Sequence, residues 1–445
     1  MEQLRKKYGL LTAIAMVVGV VIGSGVFFKA DDVLTITDGN LIIALMAWVV
    51  GAFAMIFGAL VFAEFAARIE KSNGIVDYFE EAYGHLAGYL VGWFKGMLYF
   101  SPLTAILAWV ASLYTMILLG SDNPTNSPMT WMIAGTYLIL TYIMNYYAPV
   151  AAGKFQVTTM FIKLIPLFLI AIGGTISGLV TGVTMDNFSH AASTLSNEGS
   201  TFSAAVVATA FAYEGWIIAI TLNSEIKDSK KNLPKALVLG TFIVFLVYIT
   251  YFLGIAGVLP TEEIVAQGDT AVRIVSGQLF GGFAATLLTA FVVISCLGTL
   301  NGLVMSCIRI PYSLAIRNQG PLVKQLSKIS DKREMPGNAT VYALMISSVY
   351  MMIWYGSLNN LFGTYIAVDE IPIVMVYGLY VLLYIWYMRN FKDLNVFKRF
   401  VVPICAMIGA GIILYGGITN PSIGLYMLIS LGALGLGRLF YRKTA

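Results

Sequence analysis

Two short stretches of this sequence carry residue types that could bind a small charged molecule inside an apolar environment. The first is Gly23-Ser24-Gly25, in which two glycines flank a serine within an apolar run. Glycine weakens a helix, and the backbone amides at a helix break can bind an anion such as a carboxylate. Small residues also suit close helix packing, so this stretch alone leaves both interpretations open.

The second stretch runs from Thr209 to Trp216 and places Glu214 and Gly215 at the centre of another apolar run. A charged side chain at the bilayer midplane costs about 3 kcal/mol or more, so we expect Glu214 to face the protein interior. Carbonyls exposed at such a break can accept hydrogen bonds from an ammonium group. Together the two stretches predict a site for a zwitterion.

Both stretches lie in a chain with the composition of a polytopic, all-α membrane protein. The 445 residues are 58% hydrophobic and 11% charged, with a mean hydropathy of +0.81, whereas soluble domains are about 25% charged. A membrane-spanning helix needs about 20 apolar residues. Twelve runs qualify as spans 1 to 12: 8–28, 40–66, 85–119, 128–147, 153–180, 201–222, 234–258, 280–316, 337–354, 358–387, 399–417 and 421–441.

Basic residues are distributed unevenly over the predicted loops. Twenty-two lie on the side of the two termini, and only Lys29 and Arg273 lie on the other. The positive-inside rule therefore predicts cytoplasmic termini in a multi-pass protein of the cell (cytoplasmic) membrane. Because these charges set topology, no nucleic-acid partner is expected. The remaining basic residues, Lys95, Lys163 and Arg309, lie within or at the ends of spans.

Several classes of function are disfavoured. The three cysteines form no CxxC pair or Cys/His cluster, so neither a metal site nor a disulfide framework is predicted. His85 and His190 are expected at a span end and in an external loop, so neither is interpreted as a proton relay. An enzyme is disfavoured because no catalytic cluster appears among the spans, and a channel because no charge ring or filter repeat is present.

Three further features carry structural predictions. Residues 74–83 alternate apolar and acidic positions at helical spacing, which predicts a short amphipathic interfacial helix. Asn301 either lines the site or forms hydrogen bonds between helices, and the second interpretation is preferred. Arg309 is either a gate residue paired with an acid or a side chain that snorkels to the membrane surface, and snorkelling is preferred.

The two glycine-containing stretches and Lys227-Asp228-Ser229-Lys230-Lys231-Asn232-Leu233-Pro234 resemble the amino acid-polyamine-organocation superfamily. Within it the chain is similar to the L-type amino acid transporters and to bacterial serine/threonine or alanine/serine/cysteine exchangers. The resemblance covers spans 1 to 10. It implies a single transporter domain, 1–445, with the leucine-transporter fold: a 5+5 inverted repeat, about 8–180 and 201–387, plus accessory spans 399–417 and 421–441. It implies alternating access and no cofactor.

The resemblance also implies roles for individual residues. The amides of Ser24 and Gly25 bind the substrate carboxylate, and the carbonyls of Val21, Phe211 and Glu214 bind its amino group. Phe211 is also an aromatic lid. The complete set of predicted substrate-binding residues is Val21, Gly23, Ser24, Gly25, Phe211, Ala212 and Glu214.

Lys163 in span 5 matches a lysine that this family places where sodium-coupled relatives bind an ion. A fixed ammonium there would join carbonyls of span 1 to a hydroxyl of span 8. Ser295 and Thr299 lie four residues apart on one helix face, and either is a candidate. The alternative for Lys163 is snorkelling to the interface.

The function predicted is sodium-independent exchange of small neutral L-amino acids. Relatives often have aspartate where Glu214 stands and asparagine where Ile217 stands, so side-chain selectivity is open: Glu214 either holds a cationic side chain or bonds a neighbouring helix. One alternative is therefore a carrier of cationic amino acids or polyamines, proton-coupled or exchanging. Another is a non-transporting amino acid sensor, which would use the same site. The animal members of this family that bind a heavy chain use an extracellular cysteine between spans 3 and 4; loop 120–128 has none, so the resemblance implies no disulfide-linked heavy chain.

Overall fold

The computed structural model describes residues 4–23, 25–71, 73–121, 123–125, 127–193, 199–363, 370–418 and 423–442. The chain folds as a bundle of helices. In chain order they are α1 (Leu10–Val21), α2 (Gly25–Ile36), α3 (Leu41–Arg68), α4 (Gly74–Tyr83), α5 (His85–Leu118), α6 (Pro128–Tyr147), α7 (Pro149–Thr181), α8 (Val183–Ser193), α9 (Gly199–Ala212), α10 (Trp216–Glu225), α11 (Ser229–Ala256), α12 (Thr261–Gln267), α13 (Ala271–Phe280), α14 (Gly282–Ala315), α15 (Val323–Leu326), α16 (Gly337–Leu358), α17 (Glu370–Asn390), α18 (Phe397–Ile418) and α19 (Ile423–Leu439).

Seven of the described helices are long and apolar enough to cross a membrane, namely α3, α5, α7, α11, α14, α16 and α18. Three shorter apolar helices, α1, α13 and α19, accompany them. The chain is therefore a multi-pass helical membrane protein. Large apolar side chains such as Val180 and Phe283 are exposed on the outside of the bundle, where hydrocarbon replaces water as the solvent.

Most predicted spans coincide with helices to within a few residues, and two are interrupted as predicted. Span 1 is divided into α1, which ends at Val21, and α2, which begins at Gly25, and span 6 is divided into α9 and α10 at residues 213–215. The second half of span 6 is a 3₁₀ helix, which is unusual over ten residues. The breaks at the two glycine-containing stretches are thus confirmed.

Two predictions of secondary structure were wrong. Span 10 was placed at 358–387, but residues 359–363 form a turn and α17 begins at Glu370. His190 was assigned to a loop, whereas it lies on α8, a helix of 11 residues that is too short to cross a membrane. The amphipathic helix predicted at 74–83 is confirmed as α4.

The helix α1 lies at the centre of the bundle, where it packs against α7, α10, α11 and α14. Small residues permit close approach between its neighbours: a Cβ atom at Gly174 of α7 would collide with the carbonyl of Gly254 on α11. Tight packing of α7 and α11 fixes the position of both helices relative to α1. Side chains from α7, α11 and α14 can therefore reach the break that follows α1.

Candidate functional site

The first helix break exposes consecutive backbone carbonyls. Helix α1 ends at Val21, and Ile22 leaves helical geometry with φ −76° and ψ 83°. The amide of Gly23 donates to the carbonyl of Val21 at 2.9 Å. That amide is therefore already used within the break. Ser24 lies outside the described residues, and Gly25 begins α2.

Lys163 lies against the carbonyls of this break. Its ammonium donates to the carbonyl oxygens of Gly19 at 2.8 Å and Ile22 at 2.5 Å. It also contacts α14, through the carbonyl of Ser295 at 3.0 Å and the hydroxyl of Thr299 at 3.3 Å. The side chain is fully buried, so it does not snorkel to a surface. Oxygen atoms surround its ammonium as they would surround a bound metal cation.

Both candidate hydroxyls of α14 contact the break. Ser295 Oγ donates to the carbonyl of Gly23 at 3.0 Å, and Thr299 Oγ1 donates to that of Gly19 at 3.2 Å. A Cβ atom on Gly23 would lie 3.4 Å from Thr299 Oγ1. The choice between the two hydroxyls therefore has no single answer: Thr299 contacts Lys163 through its hydroxyl, whereas Ser295 contacts it through its carbonyl.

The second break depends on Gly215. This residue adopts φ +104°, a left-handed conformation that side chains rarely tolerate. A Cβ atom there would also come within 3.0 Å of Val20 Cγ1. Gly215 is therefore required both for the turn and for the contact between the two broken helices.

Tyr248 of α11 joins the two breaks. Its hydroxyl lies 2.9 Å from the carbonyl oxygen of Val21 and 3.1 Å from that of Ala212. Val21 and Ala212 are the last residues of α1 and α9, so one buried phenol holds both helix ends together. Tyr248 could not be predicted from the sequence, because a single tyrosine in an apolar helix has no distinguishing spacing.

Glu214 faces a neighbouring helix. Its Oε1 accepts a hydrogen bond from the hydroxyl of Tyr99 on α5, and the residue is 9% exposed. Its Oε2 has no hydrogen-bond partner among the described residues. The remaining predicted site residue, Phe211, lies in the last turn of α9, and the structure does not describe its side chain.

Asn301 forms hydrogen bonds between helices, as preferred in the sequence analysis. Its Nδ2 donates to Gln156 Oε1 at 2.8 Å, and its Oδ1 accepts from Asn145 at 2.9 Å. Gln156 in turn donates to the carbonyl of Ala15 at 3.2 Å. This network ties α6, α7 and α14 to α1, about two turns before the break along the chain.

Arg309 does not snorkel, so the preferred prediction was wrong. It is buried on α14 and pairs through two nitrogens with the carboxylate of Glu225, the last residue of α10. Lys7 adds a third contact to that carboxylate at 3.0 Å. The amides of Lys7 and Tyr8 donate to the Glu225 carbonyl at 2.9 and 3.0 Å. The N-terminal segment thus closes this end of the bundle.

A second ion cluster lies at the same end, outside the spanning helices. Arg317 pairs with Asp77 and, at 3.0 Å, with Glu80, both on α4. Burial raises the pKa of Asp77 to about 6, and the nearby Arg317 opposes that rise. For Glu80, the hydrogen bond and charge of Arg317 outweigh burial and lower the pKa. These ion pairs hold α4 against the C-terminal end of α14.

The described residues contain no group of three or more His, Cys, Asp or Glu side chains that could hold a metal ion. The first break instead presents backbone carbonyls, the hydroxyls of α14 and the ammonium of Lys163, and the second break adds the carboxylate of Glu214. Two helices broken at membrane depth and packed against each other define a membrane transport protein of the discontinuous-helix class.

Comparison with known proteins specifies the family. The sequence pattern of the family described as "Amino acid permease" matches residues 8–442, and the chain belongs to that family. It is 30% identical over 440 residues to the serine/threonine exchanger SteT of Bacillus subtilis (strain 168), covering 97% of this chain and 96% of that one. Its identity to the human large neutral amino acids transporter small subunit 2 is 28% over 438 residues, covering 93% and 79%. Its identity to the human cystine/glutamate transporter is 25% over 359 residues, covering 81% and 70%. These relatives are transporters rather than enzymes, and this chain is an amino acid transporter.

Proposed function

We propose that the protein is a sodium-independent exchanger of small neutral L-amino acids, with one site between the two helix breaks. The observation that carries this proposal is the pair of breaks themselves, held side by side by the Tyr248 hydroxyl. Amides at residues 24 and 25 would receive the substrate carboxylate, and carbonyls near residues 211–214 its ammonium. Similarity to a serine/threonine exchanger over almost the whole chain supports small substrates.

Sodium independence rests on Lys163. Four oxygen atoms, three of them backbone carbonyls, surround its ammonium within 3.3 Å. A sodium ion would require such oxygen ligands, and the tethered cation already uses them. The ammonium therefore fixes the broken end of α1 without a dissociable ion.

The architecture proposed with this function is the leucine-transporter fold. Two interrupted spans, α1 with α2 and α9 with α10, join ten others to give twelve: α3, α5, α6, α7, α11, α14, α16, α17, α18 and α19. The spans are arranged as inverted repeats at about 8–180 and 201–387, with 399–417 and 421–441 outside them. The termini lie in the cytoplasm, consistent with the excess of basic residues on their side. In that orientation the Lys7–Glu225–Arg309 cluster closes the cytoplasmic end. The protein needs no disulfide-linked heavy chain.

Uptake into proteoliposomes tests the proposal. Vesicles loaded with unlabelled serine should accumulate labelled alanine, serine or threonine faster than empty vesicles do, and replacing sodium with choline should leave the rate unchanged. A strict requirement for sodium would contradict the role given to Lys163. Saturable binding without flux would identify a sensor instead of a carrier.

A second candidate function is the transport of cationic amino acids or polyamines. It is favoured by one observation, the unpartnered Oε2 of the buried Glu214 among the described residues. The same uptake assay with labelled arginine and lysine decides between the two. Under this second function, the unmodified protein takes up cations, and Glu214→Gln selectively abolishes that uptake.

A further inference from the structure

Lys95 is a buried cation that the proposed mechanism leaves unused. It lies on α5 at the start of a π-helical turn, Lys95–Phe100, and its side chain is 1% exposed. The one hydrogen bond described for its ammonium is a long one, 3.4 Å, to the hydroxyl of Tyr380. π turns commonly occur where a side chain has a functional position, and an uncompensated ammonium inside a bundle is costly. A compensating charge is therefore required nearby.

That charge is Glu214, and Tyr99 connects the two groups. The ammonium of Lys95 lies 3.5 Å from the centroid of the Tyr99 ring, a cation–π contact. The hydroxyl of the same ring donates to Glu214 Oε1. The Lys95 ammonium, the ring and hydroxyl of Tyr99 and the Glu214 carboxylate thus form a continuous series of contacts from α5 to the second helix break. The ammonium also lies within electrostatic range of the carboxylate.

The pair lies beside the proposed substrate site. Glu214 belongs to the break at residues 213–215, and its Oε2 is buried without a hydrogen-bond partner among the described residues, although the phenol of Tyr377 is close. This carboxylate alone would attract a cationic side chain on the substrate. With Lys95 present, the two side chains sum to zero charge.

We infer that Lys95 determines charge selectivity: by compensating Glu214, it makes the site accept neutral amino acids and reject lysine and arginine. This inference rests on the proposed function, because it assumes that the substrate binds at the second break. Electrostatic interactions between groups a few ångströms apart are strong in a partly buried site, with an effective dielectric constant of about 20. Removing the charge of Lys95 should therefore favour cationic substrates, and removing the charge of Glu214 should favour anionic substrates.

The test compares uptake of labelled serine, arginine and aspartate by the unmodified protein and four variants in proteoliposomes. Lys95→Met leaves Glu214 uncompensated and should raise the ratio of arginine to serine uptake at least about tenfold, equivalent to about 1.4 kcal/mol. Glu214→Gln leaves Lys95 uncompensated and should raise the ratio of aspartate to serine. The double variant should return both ratios toward those of the unmodified protein, and Lys95→Arg should keep the original preference.

The failure of this inference can be distinguished from the failure of the proposed function. If the unmodified protein transports no neutral amino acid, the proposed function fails before selectivity is measured. If it does, and Lys95→Met keeps the original ratios, the inference is overturned. Should Lys95→Met be inactive in flux, binding of arginine and serine to the purified variant gives the same ratio. A variant too unstable to purify is replaced by Lys95→Gln, which retains a polar side chain and predicts the same direction.

Discussion

Substitution of Lys163 by methionine should weaken substrate binding without changing the length of the side chain greatly. Its ammonium donates to the carbonyls of Gly19 and Ile22 on either side of the end of α1. Methionine fills similar space but donates no hydrogen bond. The break would then lose the cation that orders it, and its amides would no longer be positioned for a carboxylate.

The magnitude follows from the contacts that remain. The Gly19 carbonyl keeps a hydrogen bond from the Thr299 hydroxyl at 3.2 Å, and the Ile22 carbonyl keeps a 3.2 Å contact with the Ser295 hydroxyl, which shares its single proton with the carbonyl of Gly23. Only the charged component is lost, at about 1.5 kcal/mol for each of the two carbonyls. The total of about 3 kcal/mol corresponds to a roughly 100-fold increase in the Kd for serine.

Equilibrium binding of labelled serine to purified protein measures this effect. Lys154→Ala is the matched control, because Lys154 lies on the same helix but is exposed, and it should leave the Kd unchanged. Addition of sodium should not restore binding to Lys163→Met. A Kd within about threefold of that of the unmodified protein would refute the role assigned to Lys163, and so would full recovery in sodium.

Three further predictions test other parts of the structure. Tyr248→Phe removes the hydroxyl shared by the ends of α1 and α9, which should cost about 1–2 kcal/mol and raise the Kd for serine roughly 5- to 30-fold; an unchanged Kd would show that this bridge does not order the site. Glu225→Gln leaves Arg309 buried without a carboxylate and should accelerate amide hydrogen exchange in residues 4–9, since Lys7 and Tyr8 are held on α10; equal exchange in both proteins would contradict closure by this cluster. Because folding raises the pKa of Asp77 to about 6, its protonation favours the folded state, so its contribution is lost as pH rises through 6. On acidification from pH 7 to 5 the unmodified protein should gain about 1 kcal/mol more stability than Asp77→Asn, and parallel thermal-unfolding profiles would contradict this.

The helix breaks could be predicted because in span 6 a glycine stands beside an ionisable residue, Glu214; a glycine alone is not sufficient, since Gly174 lies within the unbroken α7. The glycine of span 6 is Gly215, with its positive φ and its contact with Val20. The burial of Lys163 could also be predicted, since a lysine far from either membrane surface requires buried hydrogen-bond acceptors. Its acceptors, carbonyls of span 1 and a hydroxyl of span 8, were named only through the family resemblance, and the individual carbonyls of Gly19, Ile22 and Ser295 depend on how α7, α1 and α14 pack together.

Residues whose role depends on a distant partner were predicted less well. Arg309 was expected to reach the surface, but its partner Glu225 lies 84 residues earlier in the chain, and no local pattern links them. Lys95 was noted as a charge in a span without an explanation, because its neighbours Tyr99 and Glu214 come together only through packing of α5 against the second break. Asp77 was assigned to the polar face of an interfacial helix, yet it is buried against Arg317.

We propose that an amino acid binds between the two helix breaks through its α-carboxylate and α-ammonium groups. A structure of the protein with bound L-serine would show this binding mode. We predict density for serine with its carboxylate at the amides of residues 24 and 25 and its ammonium at carbonyls of residues 211–214. Serine bound elsewhere in the bundle, or bound in the reverse orientation, would contradict the account.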